Sequence, residues 1–178
     1  MQPEEEKELV EACIRNDRLA QKKLYDRYVR VMMAVCLRYV GDEDSAQDVL
    51  QEAFVKVFTS LASFTGSGTL EGWIRRIVVN TALETLRKGD VMRDTTGIEE
   101  AEKIMSADVG VIERLSAEDL MGIISALPVG FRTVFNMYAI EGYSHKEIAD
   151  ILGISEGTSR SQYNRARNLI QKKIQEMQ

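Results

Sequence analysis

Apolar residues recur at helical spacing through most of the chain, so the pattern predicts helices from near the start to near the end. The first half reads as four of them. Glu4 to Arg15 is acidic and amphipathic. Leu19 to Val40 places Leu24, Tyr28, Val31 and Val35 on one stripe, and Gly41 breaks it. Asp42 can cap a third helix running to about Leu61. Its apolar positions are Ala46, Val49, Leu50, Ala53, Phe54, Val57, Phe58 and Leu61, a wide stripe that must face a core. Ser63 to Thr69 is a Gly/Ser loop carrying one aromatic. Leu70 to Lys88 forms a fourth helix, with Trp73, Arg76 and Asn80 on one face and Ile74, Ile77, Val78 and Ala82 on another.

The pattern then changes. Gly89 to about Ser116 has weak periodicity and seven acidic residues against three basic, which reads as a flexible linker with transient helix. Fully extended, its roughly 28 residues span about 90 Å. A second helical unit begins near Ala117, with Pro128 in the first turn of a helix running to Ile140. The expected architecture is all-α: a unit over residues 1–88, a linker over 89–116 and a second unit over 117–178.

Ser144 to Arg167 is the most informative stretch. It reads as two short helices joined by a tight turn, the layout that places a second helix in the DNA major groove. Ser144 and Glu147 have the spacing of a capping box. Ile148, Ala149, Ile151 and Leu152 give the first helix its inner side, Gly153 stops it, and Ser155 can cap the second. Along that second helix Tyr163, Ala166, Ile170 and Ile174 face inward. Arg160, Asn164 and Arg167 share another face, flanked by Ser161 and Arg165. Arg pairs bidentately with guanine edges and Asn with adenine edges. The lone His145 falls in the first turn of the first helix, where an exposed position is expected.

Charge complicates a simple DNA-binding picture. The 178 residues carry a net charge of −5 with a pI near 5.1, whereas a domain that binds DNA unaided is normally basic. The balance is uneven. Ser155 to Gln178 holds five basic residues against two acidic, while Met1 to Glu11 holds Lys7 against five Glu. A chain of this kind reaches DNA with help from a partner. Cys13 and Cys36 have no metal-like spacing and read as buried, reduced thiols of a cytoplasmic protein. No segment suits membrane insertion, and the acidic start is the opposite of a signal peptide. No Ser-His-Asp set, phosphate loop or clustered ligand set occurs, so neither an enzyme site, a metal nor a cofactor is expected.

Two blocks carry a family resemblance. AQDVLQEAFVKVFTSLASF followed by WIRRIVVNTALETLRK resembles region 2 of the extracytoplasmic-function (ECF) sigma factors of bacterial RNA polymerase, and Ala117 to Ile174 resembles region 4. The resemblance implies a division of labour. Asp48, Gln51 and Glu52 would dock on the clamp helices of the largest polymerase subunit, and region 4 would contact the second-largest subunit. Phe64 in its loop, with Trp73, Arg76 and Asn80, would meet the −10 element as it opens. Melting requires a base to be extruded and held. A Gly-rich loop permits close backbone approach, Phe64 offers a stacking face and Asn80 an amide. Arg160, Ser161, Asn164 and Arg165 would lie at or near base edges of the −35 element, with Arg167, Lys172 and Lys173 toward phosphate.

The resemblance also implies an anti-sigma partner. The chain departs from the family at Gln162, where an Arg is frequent and whose loss should alter phosphate contact, and at Thr65, where a basic residue is frequent. A different class remains open: a stand-alone helix-turn-helix regulator with a helical sensing domain, binding duplex DNA as a dimer. The acidic balance and the polar Asp48 face count against it.

Overall fold

The computed structural model describes residues 3–88 and 117–177. Among these residues there are eight α-helices, one 3₁₀ turn and no strand. The reading of 89–116 as a linker lies outside the described residues. The chain divides into two compact units, Met1–Thr85 and Leu86–Gln178.

In the first unit, local chemistry sets each helix end. Helix α1 (Pro3–Ile14) carries Glu4, Glu5 and Glu6 in its first turn, where negative charge suits the macrodipole. It buries Leu9, Val10 and Cys13. Asn16 adopts a left-handed φ of 61°, turning the chain, and the Asp17 carboxylate accepts from the Leu19 and Ala20 amides at 2.8 and 3.0 Å. Helix α2 (Arg18–Val40) follows and ends at Gly41, whose φ of 88° lets its N–H reach the Leu37 carbonyl. Asp42 then caps α3 (Glu43–Ser60) by accepting from the Ser45 amide at 2.8 Å.

The α3 stripe is buried along Ala46, Val49, Leu50, Ala53, Phe54, Val57 and Leu61, with Phe58 half-buried. The stripe expected on α2 needs one correction. Leu24, Tyr28 and Val35 are buried, but Val31 is 44% exposed and Met32 is fully buried. At 100° per residue the buried set, which includes Cys36 and Tyr39, is centred about 70° from Val31. α1 and α3 both pack on α2, and the face they share leaves Val31 outside. The 3₁₀ turn Leu61–Ser63 leads into the Gly/Ser loop. Helix α4 (Leu70–Lys88) buries Leu70, Ile74, Val78, Val79, Ala82 and Leu83. Lys56 joins α3 to α4, pairing with Glu52 at 2.8 Å and Glu84 at 2.7 Å.

The second unit comprises α5 (Ala117–Ser125), α6 (Val129–Phe135), α7 (His145–Leu152) and α8 (Glu156–Glu176). Its core joins Ile123, Ile124 and Leu127 to Phe131 of α6 and to Ala166, Ile170 and Ile174 of α8. Pro128 stands just before α6, so the helix begins one residue later than expected. After Phe135 it continues as a wide π turn over Asn136–Ile140. The buried Arg132 guanidinium donates to the Ser125 carbonyl at 2.6 Å, satisfying an acceptor at the end of α5.

The capping box at α7 is complete. Ser144 Oγ accepts from the Glu147 amide at 3.2 Å, and the Glu147 carboxylate accepts from the Ser144 amide at 2.8 Å. These bonds to Ser144 hold the Glu147 carboxyl below the usual carboxylate range. Ser144→Ala is expected to cost this unit about 1 kcal/mol, read as a lower urea midpoint at unchanged slope.

Candidate nucleic-acid interface

In the second unit, Gly153 stops α7 with a φ of 68°, and Ser155 starts α8 by accepting from the Thr158 amide at 3.0 Å. This turn sets the direction of α8. Arg160, Ser161, Asn164 and Arg167 are exposed, and Arg165 is half-buried. Arg160, Asn164 and Arg167 follow one another at intervals of four and three residues, so their side chains line one ridge. Arg160 is paired with Glu156 one turn earlier, an exposed contact that a stronger anion can displace. Ala166, Ile170 and Ile174 are buried and Tyr163 is half-buried, which orients that ridge outward.

One sequence expectation is overturned here. His145 is buried, not exposed. Its Nδ1 lies 2.9 Å from Ser159 Oγ, and its ring stacks on Tyr138 at 4.2 Å with an 11° interplanar angle. The first residue of α7 faces the first turns of α8, and this gives the imidazole both a polar partner and aromatic cover. A lone histidine in a polar run gives no hint of this. The signal available was the pair Tyr138 and Tyr163, which come together only in the fold. Gln162, the departure from the family pattern, has a neighbour that the sequence did not show. Its side chain turns toward α6, where a Cβ on Gly130 would meet Gln162 Nε2 at 3.4 Å. The departure from Arg therefore falls on an inter-helix contact and not on the exposed ridge.

In the first unit, Asp48, Gln51 and Glu52 are all exposed on α3. Val55 lies one turn further along the same face and is 63% exposed, an apolar centre that the polar pattern concealed. Glu52 belongs to the Lys56 ion pair, so it is not a bare charge. Gln51 also borders a shallow groove over Tyr25, Val29 and Met33 of α2.

The Gly/Ser loop is shaped by Gly66 and Gly68, at φ of 75° and 94°. A side chain at either position would be strained whatever the space. Phe64 is half-buried, with its ring centroid 5.6 Å from that of Trp73 at a 52° tilt. Trp73 is half-buried as well, while Arg76 and Asn80 are exposed on the following turns of α4. The structure thus joins Phe64 to Trp73 and aligns Arg76 and Asn80 beyond them. It adds a wall the sequence did not reveal: Glu6, Val10, Glu11 and Ile14 of α1 line a cavity with Phe64, Thr65, Gly66 and Gly68.

Both cysteines are buried, and burial pushes the Cys36 thiol up to about 12, which keeps it protonated and inert. Among the described residues no cluster could hold a metal ion, and no helix is long and apolar enough to cross a membrane.

The chain thus pairs a helical unit that has an exposed polar helix face with a unit built on a capped helix-turn-helix. Residues 24–91 match Sigma-70 region 2, and residues 117–170 match Sigma-70, region 4. The chain is 32% identical over 183 residues to the RNA polymerase sigma-H factor of Pseudomonas aeruginosa, covering 97% of this chain and 95% of that one. It is 33% identical over 178 residues to the ECF RNA polymerase sigma-E factor of Haemophilus influenzae, covering 94% of each. Among solved structures, the sigma factor RpoE of Bartonella quintana, in complex with the anti-sigma factor NepR, is similar with a TM-score of 0.52 and 25% identity. That likeness covers 86% of this chain and 96% of RpoE. The chain belongs to the extracytoplasmic-function sigma factors of RNA polymerase.

Proposed function

We propose that this sigma factor divides its promoter-directing role between its two units, over residues 1–88 and 117–178, joined by 89–116. The α3 face of Asp48, Gln51, Glu52 and Val55 docks on the clamp helices of the largest polymerase subunit. The Phe64 loop, with Trp73, Arg76 and Asn80, engages the opened −10 element. The α8 ridge of Arg160, Asn164 and Arg167, with Ser161 and Arg165 beside it, reads the −35 element. The second unit also meets the second-largest subunit. The observation that supports this most is the pairing, in one acidic chain, of an outward Arg/Asn ridge with a separate exposed polar face that has an apolar centre.

The mechanism is recognition without catalysis by this chain. Polymerase supplies the affinity that a net charge of −5 denies to the free protein. The α8 ridge adds base-edge discrimination in the major groove. The Gly66–Gly68 backbone gives an extruded base room beside Phe64, and the exposed Asn80 amide offers a donor and an acceptor. An anti-sigma factor is the expected regulator, since RpoE was solved bound to one. The site of action is the cytoplasm, where bacterial polymerase works.

Run-off transcription with purified core polymerase tests this reading. Specific transcripts are expected only when this protein is added. Arg160→Ala with Asn164→Ala should lower output from a −35-dependent promoter by about 30-fold or more, as two lost bidentate contacts of about 1–3 kcal/mol each imply. Failure on a mapped promoter would sink the proposal. Tight, specific gel shifts of free protein on duplex DNA would favour the stand-alone regulator instead.

A further inference from the structure

The helix-turn-helix holds one polar contact that neither capping nor the α8 ridge accounts for. His145 opens α7, and Ser159 lies in the first turn of α8, immediately before Arg160. Ser159 is fully buried and His145 is 8% exposed, so their 2.9 Å hydrogen bond is shielded from water. The imidazole is clamped by Tyr138 of the wide turn at 4.2 Å and by Tyr163 of α8, whose ring meets it edge-on at 5.9 Å. Tyr163 in turn stacks on Phe135 of α6. Two elements thus hold the ring, with α6 backing one of them, and that ring holds one hydroxyl of the recognition helix.

Apolar packing is non-directional and tolerates a helix roll, whereas a buried hydrogen bond weakens steeply with angle. A 15° roll of α8 moves side-chain atoms about 5–6 Å from the axis by about 1.5 Å. That is enough to break a bidentate base contact. We propose that the His145–Ser159 hydrogen bond is a positioning device that sets the roll of α8 and so aims Arg160 and Asn164 at the −35 bases. The proposal rests on the α8 reading given above.

In the neutral ring either Ser159 Oγ–H donates to Nδ1 or Nδ1–H donates to Ser159 Oγ, according to the tautomer. In the protonated ring Nδ1–H is the donor, and a charge sits on a buried group beside the Arg160 guanidinium. Burial, and then the Arg160 guanidinium, push the imidazole below its ordinary value, while Glu156 opposes them. Tyr138, Tyr143, Lys146 and Glu147 border the same cavity. Because the folded value is depressed, the packed neutral ring contributes fully above the ordinary histidine value near 6.5, and that contribution is lost as pH falls below it. Glu147 titrates in a separate, more acidic window.

The test uses holoenzyme and the ratio of transcription from a −35-dependent promoter to that from the same promoter with a substituted −35 element. Ser159→Ala and His145→Ala should each lower this ratio roughly tenfold, and the double variant should be no worse than either. His145→Asn, whose amide can present either Oδ1 as acceptor or Nδ2–H as donor at the Nδ1 position without titrating, should restore most of the ratio. Between pH 7.5 and 5.5 the ratio should fall for the natural sequence and stay flat for His145→Asn. Additive losses in the double variant, or a full ratio in folded Ser159→Ala, would overturn the proposal. If Arg160→Ala with Asn164→Ala leaves the ratio intact, the α8 reading itself has failed, whatever His145 does.

Discussion

Phe131→Ala is expected to unfold the second unit at 37 °C while leaving the first folded. Phe131 is 3% exposed and touches a core drawn from α5, α6 and α8, so no single neighbour can move in to fill the space. Truncating such a phenylalanine costs about 3–5 kcal/mol. A unit of this size is worth roughly 3–9 kcal/mol at typical stabilities per residue. The loss therefore removes most of its margin. Trp73 is the chain's single tryptophan and lies in the first unit, so its fluorescence reports that unit. In urea, the Trp73 transition should keep its midpoint while a large part of the far-UV signal is already lost. An equal shift of both signals would show that the two units unfold together.

Asp48→Ala combined with Glu52→Ala is expected to weaken core polymerase binding by about 30-fold or more, with little change in stability. Both carboxylates are exposed on α3, and neither supports the core. The exposed Glu52–Lys56 ion pair is worth about 0–1 kcal/mol, and Lys56 keeps Glu84. At an interface the same charges are desolvated against a partner, where truncation costs about 2–5 kcal/mol. Val55 adds an exposed apolar side chain to the same face. Titration of labelled protein with core enzyme measures the affinity, and calorimetry checks the fold. Unchanged affinity would remove docking from this face.

Much of this was legible in the chain because it is local. Asp42 at the start of α3, Gly41 and Gly153 at helix ends, and the Ser144–Glu147 box act within four residues, and each appears as read. The α3 stripe was equally legible, since one face carried every apolar residue but Val55. The exposed α8 ridge followed from the same reasoning in reverse. Contacts between distant residues were not legible. Val31 and Met32 are neighbours of similar apolarity, and only the placement of α1 and α3 chose between them. The Phe64–Trp73 contact and the α1 wall beside the loop also depend on how helices meet.

The sequence by itself determined the helices, most of their ends, the two-unit order and the outward ridge of α8. Helix periodicity and capping act over a few residues and are insensitive to the rest of the chain. Tertiary structure alone decided that His145 is inside, bonded to a serine 14 residues away, and that Gln162 leans on Gly130. Both outcomes turn on where α8 lies against α6 and α7. That placement comes from packing volumes summed over many side chains, which no local pattern encodes.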